Sequence, residues 1–185
     1  MTIKADRQID AKGLACPMPI VRTKKAMTDL IDGQVLEVQA TDKGSTADLA
    51  AWAQSVGHQY IGTTVQGDVL YHYVRKCSNE GIVETPFPQT VSNEQLLSLT
   101  DGIILDVREA VEYAFGHIAG AKSIPLGELD ARMHELAKEQ PIYVICRTAK
   151  RSDLAAKKLA SAGFDNVYNV VPGMVEWQGA LEKIF

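Results

Sequence analysis

The sequence predicts two consecutive α/β domains, and two different patterns of strands and helices indicate them. Residues 7–77 follow the order strand, helix, strand, helix, strand, strand (βαβαββ). Residues 92–185 instead alternate unbroken apolar strands with helices, which is typical of a mostly parallel sheet covered by helices on both faces. The length of 185 residues suffices for two small domains, and a hydrophobic content of 46% argues against intrinsic disorder.

The first domain, residues 1–77, is divided into elements by its apolar spacing and its turn residues. Ser45 and Asp48 form a variant of the capping box at the start of a helix. Gly67 and Asp68 suit a tight hairpin between the last two strands. The predicted elements are a strand within 7–13, a helix from Pro17 to Gly33, a strand over 35–40, a helix from Ser45 to Gly57, and strands over 58–65 and 69–75.

The second domain, residues 92–185, follows a predicted linker over 78–91. The linker contains two prolines and one glycine and has no periodicity. Ser92 and Gln95 have the spacing of a capping box. The predicted elements are a helix from Ser92, strands over 102–107 and 141–146, a helix that opens at Ser152 and Asp153 and stops at Gly163, and a strand over 167–171.

Composition and charge argue against several kinds of function. A net charge of −4 without a long basic run argues against binding to nucleic acid. The chain has no apolar run near the ~20 residues that span a bilayer, and its opening lacks the apolar stretch of a signal peptide. We therefore expect a soluble cytoplasmic protein without a membrane partner. The three cysteines are odd in number and spread across the chain, so we expect no disulfide framework. They lack CxxC spacing and the four histidines lack HxxxH spacing, so we expect no metal site, and we expect no cofactor.

Cys146 is the last residue of a predicted buried strand and stands shortly before a helix. Ligands of open α/β sheets bind at the carboxyl ends of the strands. A turn between a strand and a helix leaves backbone N–H groups that can hold negative charge, and here it carries Arg147, Lys150 and Arg151. A thiolate would be stabilised there, so Cys146 is predicted to be a nucleophile. The alternative is a buried structural cysteine beside a solvated basic turn.

Four segments of the second half resemble the rhodanese family of sulfurtransferases, over roughly residues 90–185. They follow the family's order: Asp106-Val-Arg-Glu109, Gly116-His-Ile-Ala-Gly-Ala121, Ile124-Pro125 and Cys146-Arg-Thr-Ala-Lys-Arg-Ser152. The resemblance implies that Cys146 takes sulfane sulfur from a donor such as thiosulfate, holds it as a persulfide and passes it to a thiol or cyanide. It also implies a donor-binding loop that wraps the persulfide, formed by Arg147, Thr148, Ala149, Lys150, Arg151 and Ser152.

The match to the rhodanese pattern has two departures and one competitor. Ala149 stands where the family commonly has glycine, and Pro172-Gly173 replaces a usual Gly-Gly pair. The phosphatase or arsenate-reductase branch of the fold has a loop one residue longer, with arginine at the position of Ser152. His117 and Asp106 resemble structural residues of the family and not catalytic bases.

Cys16 begins the segment Cys-Pro-Met-Pro19, directly before the first predicted helix. Because proline is favoured in a first helical turn, Cys16 is predicted at the N-cap, with its sulfur near unpaired N–H groups. The positive end of the helix dipole would stabilise a thiolate there. The alternative is an apolar Cys-Pro turn without a chemical role.

The surroundings of Cys16 resemble the TusA/SirA-like family of sulfur carriers, across about residues 5–77. The matching segments are Asp10-Ala-Lys-Gly-Leu-Ala-Cys-Pro-Met-Pro19, Lys24-Lys25 and Asp42-Lys-Gly-Ser-Thr-Ala-Asp48. The resemblance implies a βαβαββ two-layer sandwich whose Cys16 carries a persulfide received from a partner protein. Such a carrier presents sulfur to the next protein, and a cysteine desulfurase or another sulfur-relay protein fits as its partner.

Together the two domains lead us to hypothesise a sulfurtransferase that exchanges sulfur between Cys146 and Cys16, in either direction, or with an acceptor thiol. Two other functions stay open: a thiol redox sensor that joins these cysteines in a disulfide, and a non-catalytic adaptor between sulfur-pathway proteins. A phosphatase or arsenate reductase is a further alternative. Cys77 closes the last strand of the first domain without a proline turn or a cation cradle, so it is predicted to be a structural or exposed thiol, with a relay or resolving thiol as the alternative.

Overall fold

The computed structural model describes residues 3–77 and 85–185. The chain divides into two units, Met1–Glu80 and Gly81–Phe185, and their boundary falls within the predicted linker over 78–91. Each unit has its own sheet and its own apolar core. Neither described range contains a helix that is long and apolar enough to cross a membrane.

The first unit has the predicted βαβαββ order. Its elements are β1 (Arg7–Asp10), α1 (Met18–Thr28), β2 (Val35–Ala40), α2 (Ser45–Ser55), β3 (Gln59–Gln66) and β4 (Val69–Arg75). They form a four-stranded mixed sheet in the order β1-β2-β4-β3. β1 and β2 are parallel, whereas β4 is antiparallel to both β2 and β3. The predicted fold class of this unit is confirmed.

Both helices of the first unit pack against the same strand residues. Leu36 and Val38 of β2 belong to one apolar cluster with Met27 of α1 and Leu49 of α2, and all four are buried. Successive strand residues point to opposite faces, so Leu36 and Val38 share a face, as their spacing predicts. The shared core therefore fixes the positions of α1 and α2 over the sheet.

The second unit contains a five-stranded parallel sheet in the order β5-β9-β8-β6-β7. Its elements are β5 (Thr90–Ser92), α3 (Asn93–Ser98), β6 (Ile103–Asp106), α4 (Ala110–Phe115), β7 (Lys122–Ser123), α5 (Leu129–Arg132), β8 (Ile142–Ile145), α6 (Lys150–Ser161) and β9 (Val167–Val171). The predicted parallel α/β class is confirmed, and so is the capping box of Ser92 and Gln95 at α3.

The unbroken apolar sequence of β8 is explained by burial on both faces of the sheet. Ile142 and Val144 join one apolar cluster, and Tyr143 and Ile145 join another. All four are at most 6% exposed. Because neighbouring residues of a strand face opposite sides, a strand covered on both sides needs apolar residues at every position.

The predicted linker over 78–91 is wrong for its C-terminal part. Phe87 is buried in the core of the second unit, and its N–H donates to Asp153 Oδ1 at 2.6 Å. Thr90 and Val91 belong to β5 and pair with β9. Prolines suggest a linker, but here they flank a buried phenylalanine that anchors the segment. The rest of the predicted linker, 78–84, lies outside the described residues.

Several elements of the second unit differ from the prediction. α6 begins at Lys150, two residues before the predicted start at Ser152. The strands β5 and β7 and the helices α4 and α5 were not predicted, because each has six residues or fewer and is too short for a periodic pattern.

Candidate functional site

Cys146 lies at the carboxyl end of the central strand of the second sheet. It directly follows β8, which has β9 on one side and β6 on the other. Its side chain is fully buried in the apolar cluster that underlies α6. Only residues 147–149 separate Cys146 from the first residue of α6. This short connection brings the sulfur to the N-terminal end of a twelve-residue helix, where anions are stabilised.

The loop after Cys146 has backbone N–H groups that are available to an anion. Within the described residues, the N–H groups of Arg147, Thr148 and Ala149 donate to no backbone carbonyl. Successive N–H groups in a tight turn before a helix form an anion-binding concavity. The cysteine loop, as we call residues 146–152, therefore has the construction of an anion site.

The segment around Gly173, which follows the neighbouring strand β9, is hydrogen-bonded to the cysteine loop. The backbone N–H groups of Met174 and Val175 donate to the carbonyls of Cys146 and Arg147, both at 2.9 Å. A Cβ atom at Gly173 would stand 2.6 Å from the Cys146 carbonyl oxygen, and the φ of Gly173 is +97°. Only glycine permits this approach without displacing the loop.

Ala149 closes the cysteine loop in a left-handed conformation. Its φ is +62° and its ψ is −1°, and it is the only non-glycine residue with positive φ in the described ranges. Its carbonyl accepts hydrogen bonds from the Asp153 N–H at 3.1 Å and from Asn169 Nδ2 at 3.2 Å. The surrounding bonds thus hold a conformation that costs alanine roughly 1–2 kcal/mol.

Ser152 is the polar side chain that contacts the cysteine sulfur directly. Its hydroxyl donates to Cys146 Sγ at 3.3 Å, and both residues are fully buried. A hydroxyl donor in a buried position stabilises negative charge on sulfur.

Arg151 is bonded to a carboxylate, although the sequence predicts it as a donor-binding cation. Its guanidinium forms two hydrogen bonds with the carboxylate of Glu112, at 2.7 and 2.9 Å, and the residue is only 7% exposed. Burial disfavours the charged guanidinium, but the hydrogen bonds and charge of Glu112 outweigh this, so the pKa of Arg151 lies above its usual value. The geometry gives Arg151 a positioning role through α4.

The other predicted loop residues are closer to solvent. Arg147 and Thr148 are exposed, and Lys150 is partly buried at the start of α6. Arg147 and Lys150 therefore supply the positive charge at the surface of the cysteine loop.

Asp106 and His117 have structural partners. Asp106 accepts hydrogen bonds from the side chain and the backbone N–H of Arg108, and both residues are buried. His117 stacks on Tyr113 with a ring-centroid separation of 3.7 Å, and its Nδ1–H donates to the Tyr113 carbonyl at 2.9 Å. These contacts agree with the structural roles expected for both residues.

Cys16 is exposed, and its position corrects the predicted helix cap. α1 begins at Met18 with Pro17 at the N-cap, so Cys16 stands one residue before the cap. The hydrogen bond to Asp48, the loss of hydration and the charges of Asp48 and Asp42 raise the pKa of the Cys16 thiol. Asp48 and Asp42 thus act against the thiolate that the helix dipole was expected to stabilise.

Sequence reasoning missed the roles of Glu112 and Asp48 at the two cysteines. Glu112 stands 39 positions before Arg151, and no local pattern connects them. Asp48 was predicted as part of a capping box, which α2 lacks, whereas its carboxylate raises the pKa of the Cys16 thiol. Its place in the segment 42–48, which resembles the sulfur carriers, was the available signal.

Cys77 has a cationic neighbour that the sequence analysis did not assign to it. Arg75 Nη1 donates to Cys77 Sγ at 3.2 Å, and the backbone N–H of Cys77 donates to His58 Nδ1 at 3.3 Å. The residue is partly exposed. Among the described residues, no group of three or more histidine, cysteine or carboxylate side chains is arranged to hold a metal ion.

The two halves of the chain match two family descriptions. Residues 7–76 match the family described as Sulfurtransferase TusA, and residues 92–180 match the family described as Rhodanese-like domain. Each match includes one of the cysteines described above, Cys16 in the first and Cys146 in the second.

Relatives with both domains and with one domain are found. The protein YrkF of Bacillus subtilis (strain 168), whose name assigns it provisionally to the sulfur carriers, is 50% identical over an alignment of 189 residues. That alignment covers 97% of this chain and all of the relative. Thiosulfate sulfurtransferase GlpE of Pseudoalteromonas translucida is 33% identical over 89 residues, or 48% of this chain and 85% of the relative.

A solved structure of similar sequence is the crystal structure of a rhodanese-related protein from Thermoplasma volcanium. It is 30% identical, has a TM-score of 0.48, and its match covers 51% of this chain and 97% of that one. The full-length similarity to YrkF and the two family matches lead to one classification. This chain belongs to the family of proteins in which a TusA-like sulfur-carrier domain is fused to a rhodanese-like sulfurtransferase domain.

Proposed function

We propose that this protein is a sulfurtransferase in which Cys146 takes sulfane sulfur as a persulfide and exchanges it with Cys16 or with an external acceptor thiol. The observation that carries the proposal is the construction of the cysteine loop around Cys146. A buried sulfur at the N-terminal end of α6 receives a hydroxyl hydrogen bond from Ser152 and adjoins three available N–H groups. Structural packing alone would not require this arrangement.

The reaction needs no cofactor. With thiosulfate as donor, the Cys146 thiolate attacks the outer sulfur of the donor. The sulfur–sulfur bond of thiosulfate breaks, and sulfite leaves with the electron pair. The product is a Cys146 persulfide, and its negative charge stands where the loop N–H groups and the Ser152 hydroxyl can stabilise it.

Small anionic donors suit the charge at the surface of the loop. Arg147 is exposed and Lys150 is partly buried, so both lie where an approaching anion meets the protein. Their charge would raise the local concentration of thiosulfate or of a low-molecular-weight persulfide such as that of glutathione. A cysteine desulfurase that delivers a protein persulfide is a further donor consistent with the carrier domain.

Cys16 suits the role of acceptor because its sulfur is exposed on the TusA-like unit. The covalent connection between the two units makes transfer intramolecular, and short linkers can raise the effective concentration of the acceptor to roughly millimolar. The same exposure allows Cys16 to hand its sulfur to a thiol of another protein. Transfer from Cys146 to Cys16 would therefore combine sulfur uptake and sulfur delivery in one chain.

Intact-mass spectrometry tests the proposal. The reduced protein is treated with thiosulfate, and separately with glutathione persulfide, and the added sulfur is mapped by peptide in wild type, Cys146→Ser, Cys16→Ser and a Cys77→Ser control. We expect thiosulfate sulfur on Cys146 and, after it, on Cys16. Cys16 should receive no thiosulfate sulfur in Cys146→Ser. If neither cysteine acquires sulfur from either donor, the proposal is wrong.

The same samples separate the alternative functions. A redox sensor would instead form a disulfide after mild peroxide treatment, visible as a mobility change on non-reducing gels that either cysteine variant abolishes. An adaptor would show neither sulfur transfer nor this change. A phosphatase or arsenate reductase would turn over an aryl phosphate or arsenate, but the loop arginine of this chain, Arg151, is bonded to Glu112.

A further inference from the structure

Two residues with positive φ stand side by side at the cysteine loop. Ala149 lies in the loop with a φ of +62°, and Gly173, which follows β9, has a φ of +97°. A Cβ atom at Gly173 would stand 3.2 Å from the backbone nitrogen of Ala149. Because alanine disfavours this conformation, contacts from the surrounding structure have to hold the loop in its observed form.

A buried asparagine holds the carbonyl of each of these two residues. Asn169, on β9, donates from Nδ2 to the Ala149 carbonyl at 3.2 Å. Asn93, the first residue of α3, donates from Nδ2 to the Gly173 carbonyl at 3.0 Å. Asn169 is 4% exposed and Asn93 is 3% exposed. Two elements outside the cysteine loop thus contribute one side-chain donor each.

The amide oxygen of each asparagine has no hydrogen-bond partner in the part of the chain that the structure describes. The acceptor of each bond is a carbonyl oxygen, so the amide nitrogen has to face it and Oδ1 is directed elsewhere. A buried amide oxygen without a hydrogen bond destabilises the fold, and leucine would fill a similar volume without this cost. Packing alone therefore does not explain asparagine at either position.

The two carbonyls do not depend on the asparagines for a donor. The Asp153 N–H donates to the Ala149 carbonyl at 3.1 Å, and the Glu176 N–H donates to the Gly173 carbonyl at 3.3 Å. Each carbonyl thus has a backbone donor as well. The asparagine side chain adds a second bond, which fixes the direction of the carbonyl and with it the orientation of the planar peptide unit.

Asn93 acts on the backbone of Cys146 through two peptide units, both of them trans. In a trans peptide the carbonyl of one residue and the N–H of the next point in opposite directions. The Gly173 carbonyl accepts from Asn93, and the N–H of the same peptide unit, that of Met174, donates to the Cys146 carbonyl at 2.9 Å. The Arg147 N–H, on the far side of the next peptide unit, therefore points away from this contact. Hydrogen bonds in such a chain polarise one another, so the bond from Asn93 strengthens the hold on the loop.

Asn169 acts on the other end of the cysteine loop. Its bond fixes the peptide unit that joins Ala149 to the first residue of α6, and so supports the left-handed conformation of Ala149. That conformation turns the chain from β8 into α6 within residues 147–149. The N–H groups of 147–149 donate to no backbone carbonyl among the described residues, and their direction depends on this turn.

We propose that Asn93 and Asn169 are positioning residues of sulfur transfer, which orient the N–H groups of the cysteine loop toward the negative charge on the Cys146 sulfur. Both act through the backbone of the loop. The thiolate carries this charge before the reaction, and the persulfide carries it after sulfite has left. The inference rests on the proposed function and adds to it two residues that preorganise the anion site.

The test measures persulfide formation on Cys146 in the full chain. Cys16→Ser and Cys77→Ser are introduced so that Cys146 alone reacts, and the reduced protein is mixed with increasing concentrations of thiosulfate. Intact-mass spectrometry of quenched samples gives the rate of sulfur uptake. Asn169→Leu and Asn93→Leu are each expected to lower the saturating rate about five-fold, the effect of one ordinary hydrogen bond.

The thiosulfate concentration at half-saturation separates positioning of the loop from binding of the donor. It should keep its wild-type value in both leucine variants, because the surface charges of Arg147 and Lys150 are unchanged. Arg147→Gln should instead raise it. The midpoint of urea unfolding should stay close to that of the wild type in both leucine variants, because each loses one hydrogen bond together with a buried amide oxygen that has no donor among the described residues.

A destabilising variant on the same strand supplies the control. Val167 is fully buried two residues before Asn169, on the same face of β9. Val167→Ala should lower the midpoint of urea unfolding and leave the saturating rate unchanged. A leucine variant that unfolds, that keeps the wild-type saturating rate, or that changes only the half-saturating concentration would overturn the inference alone. A wild-type Cys146 that never takes up sulfur would overturn the proposed function as well.

Discussion

Arg151 donates hydrogen bonds to both carboxylate oxygens of Glu112, with Nη1 at 2.7 Å from Oε2 and Nη2 at 2.9 Å from Oε1. The Oε2 atom of Glu112 also accepts the backbone N–H of Glu109 at the start of α4. The pair therefore joins the N-terminal ends of α4 and α6. Since α6 begins directly after residues 147–149, this ion pair anchors one end of the cysteine loop.

Removing the charge of Glu112 should damage both stability and sulfur uptake. Glu112→Gln is expected to lower the free energy of unfolding of the second unit by about 3 kcal/mol, because it leaves a buried guanidinium without its charged partner. Persulfide formation on Cys146 should slow at least ten-fold, because the loop loses its anchor. Urea unfolding, monitored by Trp177 fluorescence in a Trp52→Phe background, measures the stability. The initial rate of sulfur uptake from thiosulfate measures persulfide formation on Cys146.

An exposed ion pair of the same unit supplies the control for this prediction. Glu128 pairs with Arg132 at 2.8 Å on the surface. Glu128→Gln should change the free energy of unfolding by less than about 0.5 kcal/mol. If Glu112→Gln behaved like Glu128→Gln in both measurements, the anchoring role of the Arg151–Glu112 pair would be wrong.

The Ser152 hydroxyl should contribute to the reactivity of Cys146 more than to folding. Ser152→Ala removes the donor at 3.3 Å from Cys146 Sγ. A hydrogen bond to a charged group contributes about 1.5–3 kcal/mol, so persulfide formation from thiosulfate should slow by about ten-fold or more. Initial rates of sulfur transfer from thiosulfate to cyanide provide the measurement.

The control for Ser152 lies on the same helix. Ser161 is exposed at the C-terminal end of α6, so Ser161→Ala should leave the rate unchanged. A Ser152→Ala protein with a wild-type rate would show that the sulfur does not need this hydroxyl.

The left-handed conformation of Ala149 predicts a stabilising substitution. Ala149→Gly should raise the free energy of unfolding of the second unit by about 1 kcal/mol, because glycine adopts a φ of +62° without the clash of a Cβ atom. Ala160→Gly, at an exposed position of α6, should have the opposite sign and about the same size. Urea unfolding of both variants measures these changes. If both substitutions changed the free energy of unfolding in the same direction, the strain at Ala149 would be contradicted.

Regular elements could be predicted from the sequence because each carries its own periodic signal. The strand over 35–40 matches β2, and the strand over 167–171 matches β9. The three-residue strand β5 could not be predicted in this way, because its position depends on pairing with β9, more than 70 residues later. The buried Phe87, which anchors the preceding segment, has no local pattern either.

The cysteines themselves were predicted from their neighbours, but their electrostatic partners were not. Three cations in the turn after Cys146 predicted an anion site, yet in the structure one of them, Arg151, is bonded to Glu112. At Cys16 the local sequence predicted stabilisation of a thiolate by the helix dipole, whereas Asp48, in the first turn of α2, raises the pKa of the thiol. Charge at a site depends on side chains that the fold brings together, and sequence spacing does not report them.

His72 lies at the centre of a buried hydrogen-bond network beneath the Asp42 turn. Its Nε2 lies 2.9 Å from Ser45 Oγ, and its Nδ1 lies 2.8 Å from Tyr60 Oη and 2.9 Å from Thr63 Oγ1. The Ser45 hydroxyl already donates to the Asp42 carbonyl, so its oxygen accepts from Nε2–H. The ring is therefore held as the neutral tautomer protonated on Nε2, and burial lowers the pKa of His72 to about 4.

The first unit should lose stability as the pH falls through the range in which His72 resists protonation. Above pH 6.5 the ring is neutral in both the folded and the unfolded chain, and its contribution to stability is complete. Between pH 6.5 and about 4 the unfolded chain binds a proton that the folded chain does not, which removes about 3 kcal/mol in total. Urea unfolding followed by Trp52 fluorescence in a Trp177→Phe background measures this slope. His72→Gln should be less stable at pH 8 but should lose about 3 kcal/mol less between pH 8 and 4, and equal losses in both proteins would contradict the buried neutral ring.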